Sequence, residues 1–258
     1  MLQLERLHKI EDYINQKGSA DIGELSEAFQ VSKVTIRRDI DALAAEKRVI
    51  KTYGGVISVK GKRSADTPQS ARMLENVDAK QKIGALAASL IEDNDTIVID
   101  TGTTTLAMVR NITAKNVTVI THDLQVAMEV IKYRCAELIV VGGAWESSGY
   151  GLISSQTIDA YKKMHVDKVY IGCDAVDREF GVSNRMLSAV ELKKAFLNIA
   201  DRSFLLADQT KFGKRAFCSL YPVQCVDTVI TDRLNDEYRS FCADNNITVL
   251  QAEQNAQG

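Results

Sequence analysis

VSKVTIRRDI, residues 31–40, governs the reading of the front of the chain. Ser32 can accept a backbone N–H and so cap a helix that begins beside it and runs to about Lys47. At about 100° per residue, Ile36, Ile40 and Leu43 fall on one narrow stripe, which makes them the buried side. Arg38 then points away from the core, flanked by Val34, Thr35 and Arg37. Two arginines on a solvated helix face are in most proteins paired with local carboxylates, here Asp39 and Asp41, and do nothing further. The neighbouring segments decide between the readings.

Upstream, Leu7, Ile10 and Ile14 recur at helical spacing and the pattern stops at Lys17-Gly18; a short helix over about 22–29 follows, with Leu25 and Phe29 four apart. A helix, a short helix, a tight turn and a capped helix make the tri-helical helix-turn-helix layout, whose last helix enters the major groove of DNA. Downstream, RVIKTYGGVISV places Val49-Ile50 and Val56-Ile57-Ser58-Val59 around Gly54-Gly55, the signal of a hairpin. Lys51 and Tyr53 lie on its first arm, placed as a wing to touch phosphates, although such a hairpin can equally serve only to cover the helices. The candidate DNA-contacting residues are Ser32, Lys33, Thr35, Arg37, Arg38, Lys51 and Tyr53.

The formal charge of −2 conceals an asymmetry, since residues 1–63 carry 12 Lys+Arg against 9 Asp+Glu and no acidic residue lies between Lys47 and Arg63. At 258 residues, 45% apolar and 26% charged, the chain has ordinary globular composition with room for two domains. Five scattered cysteines form no C-x-x-C pair, which fits neither a disulfide framework nor a zinc site. The charged start MLQLERLHKIED is no secretory signal, and no apolar run approaches the roughly 18 residues that span a bilayer, so the expected compartment is the cytoplasm. With three histidines in all, neither a metal cluster nor a cofactor is expected.

The expected organisation is a winged helix-turn-helix over residues 1–57, a linker over 58–77 that contains Pro68, and an α/β domain over 78–258. In the last, TIVID (96–100), VTVIT (117–121), AELIVVGG (136–143), KVYIGCD (168–174), RSFLLAD (202–208), DTVITD (227–232) and ITVL (247–250) read as strands. Amphipathic stretches at 80–91, 104–112, 123–133, 188–200 and 235–244 separate most of them, which predicts a mostly parallel sheet covered by helices on both faces.

Ligands of open parallel sheets collect at the carboxyl ends of the strands. DTGTTT, residues 100–105, joins a strand to a helix there: Gly102 permits a tight turn, and Thr103, Thr104 and Thr105 offer hydroxyls beside free helix N–H groups, a setting for an anion. Threonine clusters also cap helices routinely, and the loop lacks the glycine and lysine spacing of a nucleotide P-loop. Thr121, His122, Gly142, Gly143, Asp174 and Asp208 end other strands; Lys193 lies on a helix and Lys211 follows in DQTKFG. Lysine and threonine around a phosphate, with carboxylates around hydroxyls, would form a sugar-phosphate pocket, although each residue also has an ordinary capping or solvated role.

VSKVTIRRDIDAL followed by YGGV closely resembles the DeoR family of bacterial transcription regulators, with Ile40 and Val56 in place of the usual leucine and alanine. The resemblance continues in order through DTGTTT, VITH, VVGG, ELKKAF, DQTKFG and VITD. It implies an effector domain with a fold like ribose-5-phosphate isomerase, a repressor of a sugar or polyol catabolic operon, and release from operator DNA by a phosphorylated sugar. It implicates Asp100, Gly102, Thr103, Thr104, Thr105, Thr121, Lys193, Asp208 and Lys211 in the pocket, to which the strand-end reading adds Asp174. His122 stands where the family usually has Asn, Thr101 where it usually has Ser, and GCDAVD replaces a G-x-x-GID-like segment. The expected partners are double-stranded operator DNA and a second copy or more of the chain, as a homodimer or homotetramer. A non-enzyme is expected; the alternative is a sugar-phosphate isomerase with an accessory DNA-binding domain, with Asp174 and Asp208 as candidates for its base.

Overall fold

The computed structural model describes residues 3–17, 19–46, 48–52, 55–58, 69–145 and 149–252. The chain forms two compact units, Met1–Glu75 and Asn76–Gly258.

In the first, α1 (Gln3–Lys17), α2 (Ile22–Phe29) and α3 (Lys33–Ala45) enclose a core containing Leu7, Ile10, Ile14, Leu25, Ile36, Ile40 and Leu43, the residues picked out by helical spacing. Asp21 starts α2 by accepting from the Glu24 N–H at 2.8 Å, and Gln30, in the left-handed region at φ 53°, ends it. Ser32 then caps α3 through the Thr35 N–H at 3.2 Å. The hairpin is β2 (Val49–Lys51) with β3 (Gly55–Ser58), antiparallel, Lys51 opposite Val56. A strand not read from the sequence, β1 (Ser19–Asp21), pairs with the other edge of β3, giving the order β1-β3-β2. Gly55 permits that pairing, because a Cβ there would sit 2.4 Å from the Ala20 carbonyl oxygen. Of the expected linker, residues 59–68 lie outside the described residues, and α4 (Gln69–Arg72) is a helical turn within it.

The second unit contains α5 (Val77–Ala88), β4 (Thr96–Ile99), α6 (Thr103–Val109), β5 (Thr118–Thr121), α7 (Leu124–Tyr133), β6 (Glu137–Val140), α8 (Ser155–Tyr161), β7 (Val166–Gly172), β8 (Ala175–Asp177), β9 (Gly181–Asn184), α9 (Ala189–Ile199), β10 (Ala200–Leu206), β11 (Cys218–Tyr221), β12 (Thr228–Thr231), α10 (Asp236–Asp244) and β13 (Thr248–Gln251). Seven strands form a parallel sheet in the order β13-β12-β10-β7-β4-β5-β6. Val98, Val169, Ile171, Leu205 and Val229 pack into one apolar cluster, while Ile97, Ile99, Tyr170, Phe204, Leu206 and Ile230 pack into another. Alternate residues of each strand thus serve opposite faces, both covered, which is why these strands read as unbroken apolar runs. A small antiparallel sheet, β11-β9-β8, and helix α8 were not read from the sequence.

The order of the large sheet reverses between β4 and β7. From β4 the chain builds outward through β5 and β6; from β7 it builds the other way through β10, β12 and β13. The carboxyl ends of β4 and β7 therefore flank the topological switch point, where open α/β sheets hold their ligands. No described helix is long and apolar enough to cross a membrane.

Candidate nucleic-acid interface and effector site

On α3, Val34, Arg37 and Arg38 are exposed and Thr35 is half-buried, while Ile36, Asp39 and Ile40 face inward. The carboxylates that might have neutralised the arginines are engaged elsewhere. Asp39 is buried in a two-pronged pair with Arg6 at 2.6 and 3.1 Å, and Asp41 pairs with Lys51. Arg37 and Arg38 form no ion pair among the described residues. Lys33 is exposed, and the Ser32 hydroxyl is hydrogen-bonded to that of Thr35 at 2.9 Å. Tyr53 lies outside the described residues.

At the switch point, Asp100 follows β4 and is fully buried. Its Oδ2 accepts from the Gly172 N–H at 3.0 Å, across from β7, and from Lys193 Nζ at 2.6 Å. Lys193, 2% exposed, also donates to the Gly172 carbonyl at 2.6 Å. Lys193, read from the sequence as a pocket lysine, is here paired with a carboxylate, as a buried cation must be. His122 is fully buried, with Nε2 3.9 Å from Asp100 Oδ1.

Above this cluster the DTGTTT loop divides its labour. Gly102 has φ 149°, a conformation that favours glycine, and opens α6. The Thr105 hydroxyl donates to the Asp100 and Gly102 carbonyls at 2.8 and 3.0 Å, and that of Thr121 donates to the Ile99 carbonyl at 2.8 Å. Both hydroxyls are spent on shaping the loop. Those of Thr103 and Thr104 have no hydrogen-bond partner among the described residues, and Lys211, half-buried, has no ion pair among them.

Asp174 receives the Arg185 guanidinium at 2.8 Å and the Arg185 N–H at 3.0 Å. Asp208 accepts from the Thr210 N–H at 3.0 Å and from the Asn76 side-chain amide at 3.3 Å, leaving its buried Oδ2 unpartnered. Of the two glycines at the end of β6, Gly143 serves packing, since a Cβ there would lie 2.1 Å from Thr157 Oγ1; Gly142 has open space beside it.

Electrostatics ties these groups together at Cys173, which follows β7. Surrounding protein pushes its thiol up to about 12, helped by Asp174 and Asp208 and opposed by Lys211 and Lys193. All four are thus near enough to act on one sulfur atom. Burial also lowers the pKa of His122, more than Asp100 and Asp123 raise it, so its ring is neutral at pH 7. Sequence reasoning missed Cys173, Arg185 and Tyr161. Tyr161 belongs to the unrecognised α8 and Arg185 directly follows β9 of the unrecognised small sheet, and Cys173 carried no signal beyond following an apolar run.

Profiles of known families match both units. One described as the DeoR-like helix-turn-helix domain covers residues 6–62, and one described as the DeoR C terminal sensor domain covers 75–233. The chain is 31% identical over 250 residues to the HTH-type transcriptional regulator IolR of Bacillus subtilis (strain 168), covering 96% of this chain and 99% of that protein. It is 31% identical to the HTH-type transcriptional repressor GlcR of the same strain, with 98% of each chain covered. To the glycerol-3-phosphate regulon repressor of Escherichia coli (strain K12) it is 28% identical, covering 90% of this chain and 92% of the relative. Among solved structures, ribose 5-phosphate isomerase A from Methanocaldococcus jannaschii aligns with 54% of this chain and 55% of its own at 20% identity, with a TM-score of 0.40. A capped helix with unpaired outward arginines, joined in one chain to a parallel sheet with a polar cluster at its switch point, is accounted for by these full-length matches: the chain belongs to the DeoR family of DNA-binding transcriptional regulators.

Proposed function

We infer that the protein is a repressor of a sugar or polyol catabolic operon, and that a phosphorylated sugar releases it from its operator. Residues 1–57 serve as the DNA-binding part, 58–77 as the connection and 78–258 as the sensor. The observation that carries the reading is the pair Arg37 and Arg38, exposed on a capped helix whose own carboxylates are occupied by Arg6 and Lys51. In the major groove such arginines donate to guanine O6 and N7. Lys51, already held by Asp41 at the hairpin, contributes to phosphates once that pair opens. Symmetric operators call for at least two copies of the chain, with half-sites about one helical turn, ~34 Å, or multiples apart.

For the effector, the Thr103 and Thr104 hydroxyls with Lys211 form the anion-binding part, and the Asp100–Lys193 pair forms its floor. The name of the glycerol-3-phosphate regulon repressor supports a small phosphorylated polyol or sugar as the ligand class. The isomerase alternative needs an available carboxylate base; Asp174 is held by Arg185, and Asp208 is bound through Oδ1 and keeps a free Oδ2, so the assay for product decides this reading.

The test is a gel-shift titration with an operator selected by the wild-type protein from a random DNA pool. Arg38→Ala should lose about 1–3 kcal/mol of specific binding, roughly ten- to a hundredfold, with an unchanged melting temperature. Adding sugar phosphates to the preformed complex should dissociate it without forming product. Wild-type affinity and sequence preference in Arg38→Ala would remove α3 as the reading helix.

A further inference from the structure

The cluster at the switch point leaves two buried polar atoms unused. Asp100 Oδ1 and His122 Nε2 belong to fully buried side chains, and neither has a hydrogen-bond partner among the described residues. They face each other across 3.9 Å. That is too long for a direct hydrogen bond and suits one oxygen atom placed between them.

The roles of the two atoms follow from their surroundings. Asp100 Oδ2 is taken by Lys193 and the Gly172 N–H, so the carboxylate is ionised against a lysine and its Oδ1 can only accept. His122 Nδ1 lies 3.4 Å from the Tyr161 hydroxyl. The neutral ring turns Nε2 toward the Asp100 carboxylate, which favours the tautomer with its proton on Nε2 and leaves Nδ1 to accept from the Tyr161 hydroxyl. The two atoms therefore present one acceptor and one donor to each other's side of the cluster. A hydroxyl group, of a ligand or of water, donates to Asp100 Oδ1 and accepts from His122 Nε2–H at once. A cation fits poorly, because Asp100 is already neutralised by Lys193, and no cluster of three or more His, Cys, Asp or Glu suited to a metal occurs among the described residues. A phosphate dianion fits no better, since its oxygens only accept and the Asp100 carboxylate would repel them.

We propose that Asp100 Oδ1 and His122 Nε2 bind one hydroxyl group of the effector, so that this pair selects a hydroxylated phosphate over a bare anion or a phosphate lacking that hydroxyl. The assignment rests on the sensor reading above and deepens it: the threonine loop and Lys211 take the phosphate, and the pair reads the carbon chain. A site built to hydrogen-bond a hydroxyl discriminates strongly, because a ligand without it leaves two buried groups unpaired.

Thermal shift and isothermal titration test it with inorganic phosphate, glycerol 3-phosphate, ribose 5-phosphate, fructose 1-phosphate, fructose 6-phosphate and glucose 6-phosphate, on wild type and His122→Phe. Phenylalanine preserves the ring packing on Tyr161 and Phe196, whose centroids lie 5.9 and 5.8 Å from that of His122. The ester that binds wild type most tightly should bind His122→Phe about ten- to a hundredfold more weakly, while inorganic phosphate binds both alike. Equal affinity of that ester for both proteins would overturn the hydroxyl assignment alone. Inorganic phosphate binding as tightly as every ester would also overturn it and leave the anion site standing. Binding of none of the probes would sink the sensor reading together with this one. Should His122→Phe fail to fold, nitrogen-15 NMR of wild-type histidines decides: an Nε2–H tautomer whose Nε2 resonance moves with the ester and not with inorganic phosphate is expected, and an Nδ1–H tautomer or an unmoved resonance refutes the proposal.

Discussion

Lys193 carries a charge into a place that water does not reach, and Asp100 makes that tolerable. Breaking a buried pair from one side strands the other charge, which costs about 3–5 kcal/mol, whereas removing both costs less. Lys193→Met should therefore lower stability by about that amount in urea unfolding, and Asp100→Asn combined with Lys193→Met should recover part of it. His122 adds a pH signature. Burial holds its folded-state pKa below the ordinary histidine value of 6.5, so between these values the unfolded chain binds a proton that the folded chain refuses. Its stabilising contribution is complete above about pH 6.5 and is lost as pH falls from there toward the depressed value. Melting temperatures of wild type should decline from pH 7.5 to 5 more steeply than those of His122→Phe. Equal slopes would show that His122 does not stay neutral in the fold.

Among the elements, α5 and α6 meet backbone to backbone. A Cβ on Gly84 would lie 2.6 Å from the Ala107 carbonyl carbon, and α6 begins with Thr103 and Thr104. Gly84→Val should wedge the helices apart, costing about 1–3 kcal/mol by overpacking and raising the effector concentration needed for release. A melting curve and a release titration check both; a wild-type response would show that the loop does not depend on this contact. The elements legible in the sequence were those with a period. Ile97, Val98 and Ile99 announced a strand buried on both faces, and Ile36, Ile40 and Leu43 announced the inner side of α3. What escaped had no period to read: β1 and β8 are three residues long, and α8 is a seven-residue helix held by its capping Ser154 and Thr157. The strand-end rule found Asp100, Asp174 and Asp208, but it could not reveal what each one holds. Asp100 and Lys193 are 93 positions apart, and Asp174 meets Arg185, the residue after β9 of the unread small sheet, so their pairing exists only once the sheets are folded.

At the scale of the whole molecule, a ligand in one unit releases DNA from the other only by binding some arrangement of the protein better than the operator-bound one. Lys211 makes no ion pair among the described residues, so removing it should cost the fold little. Lys211→Ala should keep its operator affinity and need about ten- to a hundredfold more sugar phosphate for release, the loss of roughly 1.5–3 kcal/mol of charge-assisted contact. Release at the wild-type concentration would place this lysine outside the pocket. The order of the units along the chain has a consequence of its own. Met1–Glu75 closes on short-range helices and a hairpin, while the parallel sheet of Asn76–Gly258 pairs β4 with β7, strands separated by α6, β5, α7, β6 and α8. Local contacts form fast and parallel pairing is slow. During synthesis, at about 5–20 residues per second, the reading helix is finished roughly ten seconds or more before the last strand of the sheet emerges. On the proposed function, each newly made copy would complete its DNA-reading unit before its sensor, and a freshly translated pool would gain its response to the effector only as its sheets close.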